Sequence, residues 1–347
     1  MRWLNAEYVR PIFRGRELCI VEWSSIVKNA LPSDAWRIAQ VLAKCLDALR
    51  LIWMVATAKV LIFGRPVHAW HLKAIRLARF FGKPVISDFC DYDVNIEPRY
   101  VELTQLSSLV TVPTVLLAKR VSAVAPTPVQ IIEDSLDLEV LRSLPLNLDL
   151  ETTNYNDVLW FGMAFTSEGV SPSYHIFCDI IRKSLPLLMT NKRQVTVVCD
   201  DPARAQTIFE SLVGRDFLPI RMLKWNISVM QSCLSRPGTA IIPYEEPVEN
   251  CYKSANRIEL ALYAGKRVVS NGMLKSIDES LQPWVDVVKN GVIQDHHLTD
   301  QFYGGQAGLS FVRHFLEAKQ FNIHKDWKFV LESLLLPEKP ASRPLQY

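Results

Sequence analysis

The stretch Lys253-Ser-Ala-Asn-Arg257-Ile-Glu-Leu-Ala-Leu-Tyr-Ala-Gly265-Lys-Arg-Val-Val269 reads as a helix, a glycine that stops it, and a β-branched run that starts a strand. This step decides the fold, because it recurs along the chain and demands a mostly parallel sheet with helices on both faces. The first turn of the helix holds two cations, Lys253 and Arg257, with the hydroxyl of Ser254 and the amide of Asn256. The leading N–H groups of a helix lack intrahelical partners and its dipole is positive there, so anions are drawn to that end. Cations at the same end are mildly destabilising unless an anion compensates them, and here they read as a seat for a phosphate or diphosphate. In this reading Ser254 is the N-cap, while Lys253, Asn256 and Arg257 meet the ligand. The competing reading is an ordinary capped surface helix.

Upstream of this stretch the alternation is regular. Strands are predicted at Val158–Phe161, Val195–Cys199, Ile220–Leu223 and Thr239–Pro243, with Arg267–Ser270 as the strand that the quoted stretch starts, and helices at Ser173–Ser184, Pro202–Val213 and Ser228–Leu234. The first half repeats the pattern, with strands at Leu18–Glu22, Lys59–Phe63, Pro84–Asp88, Leu109–Val112 and Val129–Glu133. Helices are predicted at Asp34–Leu49 and His68–Phe81, and Pro113-Thr114 opens another. The polar stretch Ser143–Asn156, with Pro145, reads as a linker, and two final helices are expected at about Leu309–Lys319 and Asp326–Leu336. The expected architecture is α/β, with two Rossmann-like domains and a ligand cleft between them. Its parts are a first Rossmann-like domain over 1–145, a second over 157–308, and C-terminal helices over 309–347 that pack back across the domains.

The composition is globular, with 49% hydrophobic and 22% charged residues over 347 positions, enough for two domains. A net charge of +3, with no basic run interleaved with aromatics, gives no argument for nucleic acid. The seven cysteines are scattered without a CxxC pair, as in a reduced, cytoplasmic protein. No apolar signal core opens the chain, and the window Leu51–Phe63 is too short to span a bilayer. Peripheral contact with the inner face of a membrane is compatible with this. An oxidoreductase of the Rossmann type carries GxGxxG after its first strand, and no such motif exists among the 13 glycines.

Four segments resemble the GT-B class of glycosyltransferases, and within it family 4-like enzymes: Gly82-Lys-Pro-Val-Ile-Ser-Asp88, Thr111-Val-Pro-Thr114, Trp160-Phe-Gly162 and Lys253–Val269. They are similar to the acceptor-side strand, the strand-to-helix step of the first domain, the glycine loop of the donor domain and the donor-phosphate helix. The resemblance implies transfer of a sugar from a nucleotide-sugar donor bound by the domain over 157–308 to an acceptor bound by the domain over 1–145, without an obligatory metal or cofactor. The implied acceptor is a glycan or lipid-linked acceptor, in surface polysaccharide biosynthesis. The chain departs from the family at the double-glutamate signature, whose positions hold Tyr252 and Leu260. Glu259 is one residue out of register, a rotation of about 100° on a helix. The signature's absence keeps a second class open, a non-catalytic transferase-like partner or scaffold.

The other candidates follow from position. Gly162, after an apolar strand, permits close backbone approach to a phosphate. Glu245 and Glu246, in the loop before the phosphate helix, are candidates for sugar hydroxyls, and Trp225 for a nucleobase. Asp200 and Asp201 end a strand, where a ribose or sugar hydroxyl can bind, although Asp201 before Pro202 reads as a helix cap. If the reaction inverts, the acceptor hydroxyl needs a base, and Asp88, Asp91 and His68 are the candidates, with Glu22 behind them. Loop capping is the competing role for these aspartates. Asp91-Tyr92-Asp93 also matches a metal–nucleotide motif of the unrelated GT-A class, which the two-half layout argues against.

Overall fold

Short apolar runs, buried on both faces, build the two parallel sheets of this protein. The computed structural model describes residues 48–49, 51–64, 69–89, 98–124, 126–136, 141, 157–166, 169–214, 219–247, 252–298, 302 and 304–335. The predicted strand Leu18–Glu22, nearly all of the predicted helix Asp34–Leu49, the linker, and Glu22, His68, Asp91 and Asp93 lie outside them. The chain divides into one unit of Met1–Glu133 with Asn322–Tyr347, and a second of Asp134–Phe321.

In the first unit, strands β1 (Leu61–Gly64), β2 (Val85–Asp88), β3 (Leu109–Val112) and β4 (Val129–Ile131) form a parallel sheet in that spatial order. Helices α1 (Ala69–Phe80), α2 (Pro98–Leu106) and α3 (Val115–Val124) connect them. Successive strand residues point to opposite faces. Val85 therefore packs with Val55, Ile75, Ala78 and Leu103, while Ile86 packs with Ile132, Ile323, Trp327 and Leu331. Thr114 Oγ1 accepts from Leu117 N at 3.2 Å, so this threonine caps α3 as its place after Pro113 predicts.

The second unit has a six-stranded parallel sheet. Its strands are β5 (Asp157–Phe161), β8 (Gln194–Cys199), β9 (Ile220–Lys224), β10 (Thr239–Ile241), β11 (Arg267–Ser270) and β12 (Val285–Val287). The spatial order is β12-β11-β10-β5-β8-β9. The domain's first strand thus lies at the centre, and the winding reverses between β5 and β10, the doubly wound arrangement. A small antiparallel hairpin, β6 (Phe165–Thr166) and β7 (Gly169–Val170), follows β5. Helices α4 (Pro172–Lys183), α5 (Leu185–Thr190) and α6 (Pro202–Val213) cover one face, packing on Val158, Trp160 and Val197. Helices α7 (Ile227–Leu234) and α8 (Asn256–Tyr263) cover the other, packing on Leu159, Phe161 and Ala240.

The two predicted C-terminal helices are one, α9 (Gly305–Leu335). Its early residues Leu309, Val312 and Leu316 join the core of the second unit, and its later residues Ile323, Trp327 and Leu331 join that of the first. The apolar stripe changes partner midway, and in the sequence that shift imitates a break in the helix. Among the described residues no helix is long and apolar enough to cross a membrane.

Candidate functional site

In a doubly wound sheet the ligand crevice lies beyond the carboxyl ends of the strands where the winding reverses. Here that point is the pair β5 and β10, which run side by side with Val158 opposite Thr239 and Leu159 opposite Ala240. Gly162 follows β5, and the loop Ile242-Pro-Tyr-Glu-Glu-Pro247 follows β10.

Arg257, in the first turn of α8, reaches this point. Its Nη1 donates to Phe161 O at 3.3 Å, and its guanidinium carbon stands 5.2 Å from the centroid of the Tyr244 ring. Tyr244 is buried, so the ring is a fixed platform for the cation. Gly162 makes room for this arrangement, since a Cβ there would lie 2.7 Å from Arg257 Nη1. Two residues far apart in sequence, Gly162 and Arg257, are thereby brought together at the end of β5.

The helix start differs from the sequence expectation in one respect. Ser254 is not the N-cap: Ala255 occupies that position, and no side chain caps α8. The Ser254 hydroxyl instead donates to Asp134 Oδ2, which fixes the segment entering the helix. The first N–H groups of α8 are consequently left to solvent or ligand. Lys253 and Asn256 are exposed beside them. The Lys253 carbonyl accepts from Ser276 Oγ at 2.9 Å, and its ammonium makes no ion pair or hydrogen bond among the described residues.

Glu245 and Glu246 are exposed on the loop after β10. That loop is held from the neighbouring strand by Asn271, which follows β11. Tyr244 N donates to Asn271 Oδ1 at 2.9 Å, and Asn271 Nδ2 donates to Tyr244 O at 2.9 Å and to Glu246 Oε1 at 3.3 Å. A second anchor is Ser173 in α4, whose Oγ donates to Pro243 O at 2.8 Å. Sequence reasoning missed both. The signal for Asn271 was its position just past a predicted strand, the criterion that singled out Asp88 and Asp200.

The two carboxylates after β8 take structural bonds. Asp201 caps α6 by accepting from Arg204 N at 3.2 Å, and Asp200 Oδ1 accepts from Ala164 N at 2.9 Å, tying down the segment after Gly162. Trp225, at the end of β9, is 47% exposed, two strands out from β5. Glu259 faces away from the reversal point, being 1% exposed and accepting from Lys319 Nζ at 2.5 Å.

In the first unit Asp88 ends β2, is 1% exposed, and accepts from Thr111 Oγ1 at 2.5 Å. Asp91 and His68 fall outside the described residues.

A separate cluster gathers Asp286, His296 and His297, with one ligand atom from each within 4.8 Å of the others. Arg267 Nε donates to Asp286 Oδ2 at 2.7 Å, and His297 Nδ1 accepts from Gln294 N at 3.0 Å. That bond leaves the imidazole proton on Nε2, which a metal would have to displace. Thr239 Oγ1 donates to His297 O at 2.7 Å, which places the cluster at the amino end of β10, opposite Arg257. Its bonds are those of a packed corner of the domain.

No family model matches this sequence, nor does any curated protein match it. Solved structures do match in shape. One is an apo structure of OtsA, at 12% identity over 96% of this chain and 83% of the other, with a TM-score of 0.57. Another is described as trehalose-6-phosphate from E. coli bound with UDP-2-fluoro glucose, at 11% identity over 96% and 84%, with a TM-score of 0.55. A third is the pneumococcal O-GlcNAc transferase GtfA in complex with UDP and GlcNAc, at 9% identity over 83% and 60%, with a TM-score of 0.53. At these identities the likeness is one of fold, and the fold is that of the GT-B glycosyltransferases.

Proposed function

We propose that the protein is a glycosyltransferase whose second unit binds a nucleotide-sugar donor at the carboxyl ends of β5 and β10. The observation that carries this reading is Arg257, placed at the reversal point over Tyr244, beside Gly162 and at the start of a helix that no side chain caps. In the proposed complex Arg257, Lys253, Asn256 and the leading N–H groups of α8 hold the diphosphate, with the backbone at Gly162 close against it. The same groups stabilise the charge of the nucleoside diphosphate as it leaves, which asks for no metal. Ser254 shapes the approach through its bond to Asp134. Glu245 and Glu246 meet sugar hydroxyls, and Trp225 stacks on the base. The fold shared with proteins solved in complex with UDP, and with UDP-2-fluoro glucose, supports the choice of ligand.

The first unit is assigned the acceptor, a glycan or lipid-linked acceptor of surface polysaccharide assembly. Its base would come from Asp88, Asp91 or His68 if the reaction inverts. A non-catalytic partner on the same fold is the second reading, favoured by Leu260 at the signature position and by the burial of Glu259 against Lys319.

A thermal-shift screen of UDP, GDP, ADP and their hexose derivatives tests the donor site, since a ligand that prefers the folded state raises its stability. The expected result is stabilisation by one nucleotide and its sugar, reduced in Arg257→Ala. Stabilisation only by an unrelated ligand class overturns the reading. Nucleotide-sugar binding with no transfer to any glycan acceptor selects the non-catalytic alternative.

A further inference from the structure

We propose that Asn271 is a positioning residue for donor-sugar recognition, acting through Glu246; this rests on the donor-site reading above. The carboxamide of Asn271 uses its acceptor and both its donors in one direction, toward the loop after β10. Its Oδ1 takes the N–H of Tyr244, and its Nδ2 gives one proton to Tyr244 O and the other to Glu246 Oε1. The backbone partners dictate which end of the amide faces which group, because a flipped amide would set N–H against N–H and oxygen against oxygen.

The consequence is two-fold. The Tyr244 backbone is clamped from β11, which fixes the start of the loop that carries Glu246. The Glu246 carboxylate, exposed and on a loop, is given a direction it would not otherwise hold. One oxygen is taken by Asn271, and the remaining lone pairs are left for hydroxyl donors. A carboxylate fixed in this way discriminates ligands by their hydroxyls, because an ionised acceptor makes its strong bonds only to correctly placed donors. A bare nucleotide has no sugar to offer it, and a donor with an acidic sugar would be repelled. The role therefore falls on the difference between a nucleotide and its neutral-sugar derivative.

The test is isothermal titration of the full chain with UDP, UDP-glucose and UDP-glucuronate, and with GDP and GDP-mannose as a second set. The wild type, Asn271→Ala, Asn271→Asp and Glu246→Ala are compared. The expected wild type binds a neutral nucleotide sugar more tightly than the bare nucleotide, and more tightly than the acidic one. Asn271→Ala and Glu246→Ala are both expected to lose about tenfold in affinity for the neutral nucleotide sugar and less than about threefold for the nucleotide. Asn271→Asp should lose more, since a carboxylate cannot donate to Tyr244 O and repels Glu246. Glu246 is exposed, so its variant keeps the fold and stands even if Asn271→Ala loosens the loop. Equal weakening of nucleotide and nucleotide sugar in Asn271→Ala marks a merely structural role and overturns the inference. An unchanged sugar preference in Glu246→Ala overturns the route through that carboxylate. A wild type that binds none of the five ligands overturns the donor-site reading and this inference with it.

Discussion

At the carboxyl edge of the first unit's sheet Asp88 is buried and accepts a hydrogen bond from the Thr111 hydroxyl; at the same edge of the second unit Arg257 lies partly buried over Tyr244, with exposed Lys253 beside it. Both units are parallel sheets with helices between the strands. The described strands of the first run in sequential order, β1 to β4, whereas those of the second reverse between β5 and β10. A reversal sends the two following connections to opposite faces and opens a crevice, and a sequential order does not. Among the described residues, the cation at the reversal is partly buried over an aromatic ring, whereas the carboxylate at the sequential edge is buried against the Thr111 hydroxyl.

The largest expected effect is at Arg257. Removing a guanidinium that binds phosphate costs about 1.5–3 kcal/mol, roughly tenfold to a hundredfold in affinity. Arg257→Ala should show that loss in nucleotide titration, with a small change in melting temperature because its one backbone bond is long. Asp88→Ala should do the reverse. Thr111 loses its buried acceptor, at a cost of about 1–3 kcal/mol in denaturant unfolding, while nucleotide affinity stays within error. If Asp88→Ala weakens nucleotide binding as much as Arg257→Ala does, the contrast between the two edges is wrong.

A smaller effect is expected at Gly162. An alanine there places its methyl carbon against Arg257 Nη1, the far end of a flexible side chain, so the guanidinium swings away. Nucleotide affinity should fall by about tenfold, or about 1.4 kcal/mol, and stability by about 1–3 kcal/mol, because the backbone at Gly162 has φ +156°, which strains any side chain. An unaltered affinity would show that the ligand does not need Arg257 in this position.

Much of this contrast was legible in the sequence. The limits of β3, α6 and β11 agree with the apolar runs and their capping signals, and Gly162, Lys253 and Arg257 were visible as strand-end and helix-start residues. What was hidden depends on contacts between distant residues. Ser254 has the chemistry of an N-cap, but Asp134 competes for its hydroxyl and the helix begins one residue later. The edge strand β12 is three residues with a charge at its centre, too short for alternation to register. Helix α2 opens on Pro98 in a run whose polar residues mask its period. Asn271 gave no sign of its three bonds, because their partners are set by the adjacency of β10 and β11, and strand order cannot be read from periodicity.

The smallest effect distinguishes the two ends of the same strand. His297 lies at the amino end of β10, away from Arg257, and its pKa is pushed below the ordinary 6.5, first by burial and then by the nearby His296 and Arg267, against a raising influence from Asp286. In the folded chain its Nδ1 must stay unprotonated to accept from Gln294 N. The unfolded chain takes up a proton near the ordinary value, whereas the folded chain resists until the pH is lower. Across that window the unfolded state binds more protons, so stability is fully present above pH 6.5 and falls as the pH drops from there toward the folded pKa. Denaturant unfolding between pH 7.5 and 5.5 should show this slope, and His297→Gln, which cannot titrate, should flatten it. Nucleotide affinity of the folded protein should not follow the same curve, because the titrating group and the proposed phosphate seat lie at opposite ends of β10. A shared pH dependence of stability and affinity, abolished together by His297→Gln, would join the two ends and break the separation drawn here.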